Sequence, residues 1–420
     1  MRILVAGGGY VGLATATGFA RQGHEVQVVE IDKRRAESLR AGVTPFLEPS
    51  ILAAYQDEVQ NRHIAVHSTY KTLSGPVDYA FICTSSPLTP EGLLDTSQIF
   101  QAAEMLVASS ASPCRLVVRS TVNPGTTEAV ERCVRAQSKR VAVLVNPEFL
   151  REGSALLDFE RPTRIVIGGS DDEAVEDLSA LYSFTNAPVI RTNTRTAELT
   201  KLAANAALAV RVSMANELAH VARSADADLD VLLDGVGSDP RIGRDYLSPG
   251  LGFGGSCLPK DLAAFRSSAH QTGMATPVFD GATLTNDYVV ESLADRASSL
   301  VLGRSGHRVC VVGIGFKPGS DSLRNSQPVR LVKCLLQKGF DVAIHDPIAE
   351  HNAREEFGDE PRVTYAPSFD QAVNDSDVVI VIDRGLVTNA PFTQEKAVID
   401  AIGRQMFPTT PVSEHANDDV

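Results

Sequence analysis

The amino-acid sequence predicts an α/β protein with two parallel-sheet domains joined by a central all-helical region that contains a long helix. Three observations support this fold class. Apolar strand-like runs alternate with amphipathic stretches over about the first 190 residues, as is typical of a parallel sheet covered by helices. A strand leading into a Gly-x-Gly turn recurs later in HRVCVVGIGF, and a long alanine-rich segment without glycine or proline lies between the two regions.

The first domain is expected over 1–195, and six apolar runs predict its strands: RILVAG, EVQVVEI, YAFICT, RLVVRS, VAVLVN and RIVIGG. Continuous apolar runs of this length suit strands that are buried on both faces of a sheet. Because parallel strands need crossover connections, the amphipathic stretches between the runs are predicted to be helices.

The central helical region is expected over 196–300 and opens with TAELTKLAANAALAVRVSMANELAHVARS, for which Thr194 or Thr196 is the candidate N-cap. Further helices continue, interrupted by the loop SPGLGFGGSCLPKD. The third domain, over 301–410, repeats the strand and turn and adds the strand FDVAIHDP, which predicts a second Rossmann-like domain. Residues 411–420 are polar and are predicted to form a disordered tail.

Composition and charge exclude several classes of function. The 420 residues are 43% hydrophobic and contain no run of about 18 apolar residues that would span a membrane. A net charge of −13 disfavours nucleic acid as a partner. The opening MRILVAGGGYVG lacks a cleavage site and is interpreted as a strand and turn, not as a signal peptide. The six cysteines are scattered, so neither disulfides nor a metal site is expected, and a cytoplasmic location fits best.

The first turn has the pattern Gly7-x-Gly9-x-x-Gly12 and directly follows the strand RILVA. In a dinucleotide site, these glycines permit a tight turn, close approach of the backbone to the pyrophosphate and close packing of the helix. Glu30 ends the next strand. A carboxylate there accepts hydrogen bonds from the adenosine ribose and repels a 2′-phosphate, so NAD is favoured over NADP.

Asp32 and Arg35, which follow Glu30 in the sequence, are further candidates for the dinucleotide site. Asp32 is the alternative partner for the ribose, and Arg35 lies either beside the adenosine or on an exposed helix end. A glycine pattern alone requires only a tight strand-to-helix turn, but the strand, helix and acidic residue together favour the dinucleotide interpretation.

A candidate nucleophile, Cys257, follows a Gly-Gly pair in the segment RIGRDYLSPGLGFGGSCLPKD. Lys260 and Asp261 come directly after it. If a helix begins near Cys257, its dipole and Lys260 both favour the reactive thiolate. A lone cysteine is otherwise a small buried residue, but the glycines and adjacent charges favour a nucleophile here.

Lys201 and Asn205 are four residues apart on the long predicted helix and therefore share one face. A lysine and an amide side by side can stabilise an alkoxide or oxyanion as charge develops. A solvated helix face is the alternative interpretation of this pair.

The segment VNPEFLREGSALLDF follows a strand whose carboxyl end is expected to face the cofactor. Glu148 in this segment is a candidate general base for water, or else a carboxylate at a helix start. The backbone of Phe149, Leu150 and Arg151 is expected to line a substrate groove.

Seven motifs follow one another along the chain: GGGYVG, RSTVNPGTT, NPEFLREGSALLDFERPTRIVIGG, TAELTKLAANA, GSDPRIG, GFGGSCLPKD and GFKPGSDSLR. Together they resemble the UDP-glucose/GDP-mannose dehydrogenase family over the chain up to about residue 347. The resemblance implies that one site reduces two NAD in succession. A sugar-nucleotide alcohol becomes an aldehyde and then a carboxylate, through a thiohemiacetal and a thioester on the loop cysteine. Such an adduct retains the aldehyde, and thiolate is a good leaving group for hydrolysis.

The resemblance also implies a role for each motif residue. Cys257 is the nucleophile, Glu148 assists the hydrolytic water, Lys201 and Asn205 stabilise oxyanions, and Asp261 and Thr121 act with a bound water. The implied cofactor-binding residues are Gly7, Gly9, Tyr10, Val11, Gly12, Glu30, Arg35, Thr121, Glu152, Lys260 and Arg324. The implied substrate-binding residues are Phe149, Leu150, Arg151, Lys201, Asn205, Arg241, Tyr246, Leu247, Gly254 and Lys317.

The family pattern extends to the third domain and to assembly. Gly313-x-Gly315 lacks a third glycine, which is consistent with binding of the substrate's nucleotide instead of a second NAD. Arg241 resembles an arginine that reaches the neighbouring subunit's site. A homodimer built on the long central helix is therefore implied.

Two segments depart from the family pattern. After the third strand, the chain has TSSPLTPEG where the family more commonly has V-x-T-P. Near the C-terminus, the family usually has a Thr-rich strand end and an Asp-Gly-Arg-Asn turn, and this chain instead has SDVVIVIDRGLVTNAPF followed by VIDAIGRQMF. Arg404 is the candidate for the arginine of that turn. GSDPRIG and GGSC resemble the UDP-glucose branch, whereas SQPVRLVKCLLQKGF is closer to the GDP-mannose branch. UDP-glucose is the expected substrate, and GDP-mannose or another UDP-hexose is the alternative.

Two other classes share parts of this pattern. A two-electron reductase of the 6-phosphogluconate or hydroxyacid type also has a Rossmann domain followed by a long helix, but it needs no cysteine. A regulatory NAD-binding module would form no NADH from any sugar nucleotide. The combination of Cys257 with Glu148 favours the four-electron dehydrogenase over both.

Overall fold

The computed structural model describes residues 1–73, 75–109, 113–137, 141–301, 307–387 and 397–401. The chain forms two compact units, Met1–Asn205 with Lys260–Ala275, and Ala206–Pro259 with Thr276–Val420. The predicted tail over 411–420 and Arg404 lie outside the described residues.

The first unit has a sheet covered by helices. Its strands are β1 (Arg2–Ala6), β2 (Glu25–Val29), β3 (Ile64–His67), β4 (Val77–Ile82), β5 (Pro113–Val118), β6 (Ala142–Val145), β7 (Ile165–Gly168) and β8 (Val189–Thr192). Its helices are α1 (Tyr10–Arg21), α2 (Lys33–Arg40), α3 (Pro49–Gln60), α4 (Ser97–Ala108), α5 (Thr126–Gln137), α6 (Ala155–Glu160) and α7 (Asp172–Leu181).

The central helices and a second sheet follow. The helices are α8 (Thr194–Ser224), α9 (Leu229–Gly237), α10 (Leu258–His270) and α11 (Pro277–Val301), and α8 and α10 contribute residues to both units. The second sheet region contains β9 (Arg308–Val312), α12 (Gln327–Gln337), β10 (Asp341–His345), α13 (Glu350–Phe357), β11 (Val363–Tyr365), α14 (Phe369–Asn374), β12 (Val378–Val381) and β13 (Ala397–Asp400).

The two sheets have related topologies. The strand order is β3-β2-β1-β4-β5-β6-β7-β8 in the first unit and β11-β10-β9-β12-β13 in the second. In each sheet the chain returns to the other side of the first strand, after β3 in the first sheet and after β11 in the second. The switch points therefore lie between the neighbouring strands β1 and β4 and between β9 and β12. Ligands of open α/β sheets bind beyond the carboxyl ends of the strands at such switch points. The predicted α/β class with two Rossmann-like domains and a helical middle is confirmed.

Both faces of the first sheet are buried, which explains its continuous apolar strands. Leu13, Phe19 and Phe159 pack on one face, and Ile99 and Leu106 pack on the other. Glycine allows α1 to approach its neighbour closely, because a Cβ atom at Gly18 would lie 2.1 Å from the Phe159 ring. None of the helices in the described part of the chain is long and apolar enough to cross a membrane.

Two details of the sequence prediction are wrong. The pair β6–β7 is antiparallel, not parallel. Its connection contains only the six-residue helix α6, too short to return the chain to the opposite end of the sheet. Helix α8 begins at Thr194, and the Asn193 side chain accepts a hydrogen bond from the Thr196 N–H at 2.8 Å. Asn193 is therefore the N-cap instead of Thr194 or Thr196, since asparagine is a strong capping residue.

Candidate active site

The glycine turn between β1 and α1 has the geometry of a dinucleotide site. Gly7 has a φ of +113°, and a Cβ atom there would lie 2.7 Å from the Cys83 carbonyl oxygen. A Cβ atom at Gly12 would lie 1.9 Å from the Gly7 carbonyl oxygen, so the first turn of α1 has room only for glycine at this position. Around Gly9, by contrast, no described atom outside its two chain neighbours lies within 4 Å of a Cβ position. The backbone is thus open to a ligand where α1 presents its N-terminus.

Glu30 is the buried carboxylate beside this turn, with an exposed fraction of 6%. It accepts hydrogen bonds from the Gly8 N–H at 3.2 Å and the Asp32 N–H at 2.9 Å, and its Oε2 lies 3.4 Å from Arg35 Nη1. Asp32 caps α2 by accepting the Arg35 N–H, a bond that lowers the pKa of the Asp32 carboxyl. Since Asp32 is used in capping, Glu30 is the better placed partner for a ribose.

A cleft of about 870 Å³, open solvent included, lies over this turn. It is lined by the glycine turn, Glu30, Arg35, the 68–70 segment, the 83–85 segment and residues of α4. Within the described residues, the buried hydroxyl of Thr84 has no hydrogen-bond partner. An open glycine backbone, an acidic residue and an unsatisfied hydroxyl in one cleft fit NAD.

Three other predicted cofactor residues lie near the turn. Tyr10, the first residue of α1, directs its phenol oxygen to Glu48 Oε2 at 2.7 Å, and burial and this carboxylate raise the pKa of the phenol. Val11 and Glu152 are half-buried. Tyr10 and Val11 do not line the cleft described above and pack against the apolar cluster that contains Leu13 and Phe19.

A buried ion pair joins the loop after β6 to the long helix. Lys201 Nζ lies 3.1 Å from Glu148 Oε1, and the exposed fractions of the two side chains are 4% and 7%. Burial would raise the pKa of Glu148, but Lys201, the Leu150 N–H and Arg119 outweigh it and hold that pKa below its usual range. Glu148 is therefore ionised at neutral pH, as a general base requires.

A second buried contact lies one turn along α8. Asn205 Nδ2 donates a hydrogen bond of 2.6 Å to Asp261 Oδ2, and Lys260 Nζ lies 2.6 Å from Asp261 Oδ1. Asp261 has an exposed fraction of 1%. The structure therefore groups Glu148 with Lys201 and Asn205 with Asp261 inside the first unit, on residues far apart in sequence.

The glycine-rich loop with Cys257 is fixed within the second unit. Asn286 exchanges two hydrogen bonds with the backbone of Phe253, at 2.6 and 3.1 Å. A Cβ atom at Gly254 would lie 2.5 Å from the Asn325 carbonyl oxygen, and one at Gly255 would lie 2.8 Å from the Phe316 ring. The two glycines thus allow close packing against the segment after β9.

Cys257 itself is exposed and immediately precedes α10, which begins at Leu258. Its Sγ lies 3.4 Å from the Ser256 hydroxyl. A thiol at a helix N-terminus gains from the positive end of the helix dipole when it ionises. All six cysteines are outside disulfides.

Three of the remaining residues predicted for the first unit belong to the loop that carries Glu148, and the fourth follows β5. Phe149 and Leu150 are half-buried, and the Arg164 guanidinium lies 3.8 Å from the centre of the Phe149 ring. Arg151 is exposed and paired with Asp158 at 2.6 Å. Thr121 follows β5, and its carbonyl oxygen accepts the Ser86 hydroxyl at 2.7 Å.

The residues predicted to bind the substrate's nucleotide lie in the second unit. Leu247 is buried, and its carbonyl oxygen accepts a hydrogen bond from Arg244. Tyr246 is exposed with a φ of +61°, a backbone conformation that non-glycine residues rarely adopt. Arg241 is exposed and paired with Asp239, and Lys317 lies over the Phe316 ring. Arg324, a predicted cofactor residue, also belongs to the second unit and is exposed.

Sequence reasoning missed three buried charged residues around the predicted site. Glu48 accepts the Tyr10 phenol, Arg119 donates to the Asn146 side chain at 2.5 Å, and Glu198 accepts the Gly125 N–H at 2.5 Å. A charged residue next to an apolar run, as in RLVVRS, is the sequence signal that would have pointed to Arg119. Within the described residues, no cluster of three histidine, cysteine or acidic side chains suits a metal ion.

Family models match three segments of the chain. Residues 1–186 match the NAD-binding domain of the UDP-glucose/GDP-mannose dehydrogenase family, 195–288 match its central domain, and 310–387 match its UDP-binding domain.

Curated relatives and a solved structure agree with these matches. The UDP-glucose 6-dehydrogenase of Pseudomonas aeruginosa is 36% identical, over 91% of this chain and 87% of the relative. The GDP-mannose 6-dehydrogenase of Pseudomonas syringae pv. syringae is 32% identical, over 96% of both. A UDP-glucose dehydrogenase structure from Pyrobaculum islandicum superposes with a TM-score of 0.89 at 34% identity, covering 95% of this chain and 94% of that one. The chain therefore belongs to the UDP-glucose/GDP-mannose dehydrogenase family and is an NAD-dependent sugar-nucleotide 6-dehydrogenase.

Proposed function

We propose that the chain oxidises the C6 alcohol of UDP-glucose to the carboxylate of UDP-glucuronate, through a thiohemiacetal and a thioester on Cys257. The observation that carries the proposal is the buried cluster of Glu148 with Lys201 and Asn205 with Asp261. It supplies an ionised base and two hydrogen-bond donors in a chain that also holds an exposed cysteine at a helix start. The names of the relatives at 36% identity support UDP-glucose as the sugar nucleotide.

The chain's own residues hold the cofactor and the reacting oxygen. The 7–12 turn and Glu30 bind NAD, which accepts a hydride in each of the two oxidations. Lys201 and Asn205 donate hydrogen bonds to the C6 oxygen as negative charge develops on it. Asp261 receives the alcohol proton through a water molecule, and Thr121 helps to order that water.

The covalent steps follow from the chemistry of the thiolate. Cys257 Sγ adds to the aldehyde carbon, and the aldehyde oxygen takes back the proton held at Asp261 and its water to form the thiohemiacetal. Loss of the C6 hydride, for which a second NAD would be the acceptor, and of the hydroxyl proton, which would return to the water at Asp261, then gives the thioester. Glu148 removes a proton from water as the water oxygen attacks the thioester carbon, and the C–S bond breaks to release thiolate and carboxylate.

The stoichiometry of NADH tests this proposal. UDP-glucose, GDP-mannose and UDP-N-acetylhexosamines are compared as limiting substrates with excess NAD. Two NADH per UDP-glucose, with less turnover of the other sugars, is the expected result. One NADH per sugar contradicts the thioester route, and faster turnover of GDP-mannose contradicts the choice of sugar. A Cys257→Ala variant is expected to form no carboxylate.

We also propose a homodimer that uses the central helices. Exposed apolar side chains lie on α8 and α11, with exposed fractions of 62% for Val221, 70% for Leu284 and 56% for Tyr288. Large exposed apolar side chains are characteristic of interaction sites when they are grouped. Sedimentation velocity is expected to give twice the chain mass, and a Leu284→Glu variant is expected to shift the protein towards monomer.

A further inference from the structure

Glu48 is a buried carboxylate that the reaction above does not use. It has an exposed fraction of 2% and directly precedes α3. Its Oε2 atom accepts the Tyr10 phenol at 2.7 Å and the Gly153 N–H at 2.6 Å, while its Oε1 atom accepts the Ser50 hydroxyl at 3.1 Å. Because burial of a carboxylate is costly unless its lone pairs are satisfied, these contacts hold Glu48 in one geometry.

The two groups on Oε2 come from different parts of the predicted site. Tyr10 is the first residue of α1 and follows the open Gly9 of the dinucleotide turn. Gly153 belongs to the loop that follows β6 and carries Glu148. The Tyr10 phenol oxygen also lies 3.1 Å from the Arg151 carbonyl oxygen. Glu48 thus links the cofactor turn to the loop with the candidate base.

The same loop is fixed at its other end by neutral and cationic groups. The Asn146 side chain accepts hydrogen bonds from Arg119 at 2.5 Å and from the Tyr182 hydroxyl at 2.7 Å, and it donates to the Val166 carbonyl at 2.8 Å. Glu148 lies between this anchor and Gly153. Its position therefore depends on both ends, and Glu48 provides one of them.

We infer that Glu48 is a positioning residue that holds the 147–153 loop against the cofactor turn, so that Glu148 is aligned with the water that hydrolyses the thioester. The inference rests on the proposed function. Loss of this anchor lets the loop shift while the Cys257 loop, in the other unit, keeps its own contacts. Thioester formation is then retained, and hydrolysis becomes the slow step.

Substitutions at Glu48 separate hydrogen bonding from charge. In Glu48→Gln the amide oxygen still accepts from Tyr10 and Gly153, and the amide nitrogen can donate to Ser50. Glu48→Ala removes all three contacts. Ser50→Ala is the matched control, because it removes only the contact on Oε1.

The measurements are the pre-steady-state NADH burst and the mass of the Cys257 adduct after rapid quenching. Because general bases contribute about 10²–10⁴-fold, we expect Glu48→Ala to lower the steady-state rate at least about tenfold, with a two-NADH burst and an accumulated acyl adduct. Glu48→Gln and Ser50→Ala are expected to stay within about threefold of the parent protein without adduct, a difference under about 1 kcal/mol.

A parental rate for Glu48→Ala overturns the inference, and so does a loss of the burst together with the steady-state rate. If Glu48→Ala does not fold, Tyr10→Phe removes one donor at nearly constant volume and must also accumulate adduct. The Glu148→Gln variant distinguishes a failure of the thioester route from a failure of the positioning role of Glu48. Absence of adduct in Glu148→Gln contradicts the thioester route itself, whereas adduct there but not in the Glu48 and Tyr10 variants contradicts only the positioning role.

Discussion

The two Rossmann-like sheets begin alike and then use their glycine turns differently. Each has a strand, a Gly-x-Gly turn and an acidic residue after the second strand, Glu30 in one and Asp346 in the other. In the first sheet, α1 begins directly after Gly9. In the second, residues 316–326 intervene and α12 begins only at Gln327. A helix N-terminus is thus presented at the first turn and not at the second.

The backbone amides show the same contrast. Asp346 Oδ2 accepts the Ile314 N–H at 2.8 Å and the Gly315 N–H at 3.3 Å. A Cβ atom at Gly315 would lie 2.2 Å from the Ser320 carbonyl oxygen, because the following loop folds back over the turn. The amides that would bind a diphosphate are used inside the domain. This geometry favours a different mode of nucleotide binding in the second sheet region.

The largest expected effect of this difference is on stability. Asp346 also accepts the Ile348 and Ala349 N–H groups at 3.0 Å. An unsatisfied buried donor costs about 1–3 kcal/mol, so Asp346→Ala is expected to lower the free energy of unfolding by about 3 kcal/mol or more. Glu30→Ala, at the edge of an open cleft, is expected to cost less. Urea unfolding of both variants checks the order, and a larger loss for Glu30→Ala contradicts it.

The next effect is on NAD binding, and two glycine substitutions compare the turns. The Cβ atom of Gly12→Ala meets the Gly7 carbonyl oxygen at 1.9 Å, and that of Gly315→Ala meets the Ser320 carbonyl oxygen at 2.2 Å. Since overpacking costs about 1–3 kcal/mol, Gly12→Ala is expected to weaken NAD binding by roughly 30-fold. Gly315→Ala is expected to leave it unchanged. Titration calorimetry with NAD measures both, and equal losses would mean that both turns bind the dinucleotide.

The difference between the turns also shows what sequence alone can predict. The missing third glycine after Gly315 was visible as a pattern, as were the six apolar strands. The edge strands β3 and β8 were missed because they are only partly buried and carry polar residues, whereas β6 and β7 are equally short but apolar and mostly buried. The local patterns at Glu30 and Cys257 were likewise sufficient to single them out.

Contacts between distant segments could not be predicted in this way. Glu48 and Gly153 are separated by 105 residues, and Asn205 and Asp261 by 56. Neither separation leaves a periodicity in the sequence, since such contacts form only when helices and loops that are distant along the chain pack together. Local patterns singled out Glu148 and Lys201 one by one, but their pairing and the contacts of Glu48 required the fold.

A smaller effect concerns the choice of cofactor at the first turn. Glu30 accepts two backbone N–H groups and repels a 2′-phosphate. A hydrogen bond to a charged group contributes about 1.5–3 kcal/mol, so Glu30→Gln is expected to weaken NAD binding about tenfold and to narrow the preference for NAD over NADP. The ratio of kcat/KM for the two cofactors tests this. An unchanged ratio would assign the discrimination to another residue, whereas Asp346→Asn is expected to leave the ratio as it is.

The smallest expected effect is on thiol reactivity, and it concerns the residues that face the two turns. Cys83 lies against Gly7, and Asp383 occupies the corresponding place against Gly313. Burial raises the pKa of the Cys83 thiol to about 12, so almost no thiolate is present near pH 8. Cys257 is exposed at a helix start, so iodoacetamide at pH 8 is expected to modify Cys257 and leave Cys83 intact, as peptide mass spectrometry would show. Because NAD binding needs the first turn and not the thiol of Cys257, the alkylated protein should still bind NAD while losing oxidation of the sugar nucleotide. Modification of Cys83 at a comparable rate would show that the first turn opens to solvent, and the contrast between the two turns would then be smaller than their packing indicates.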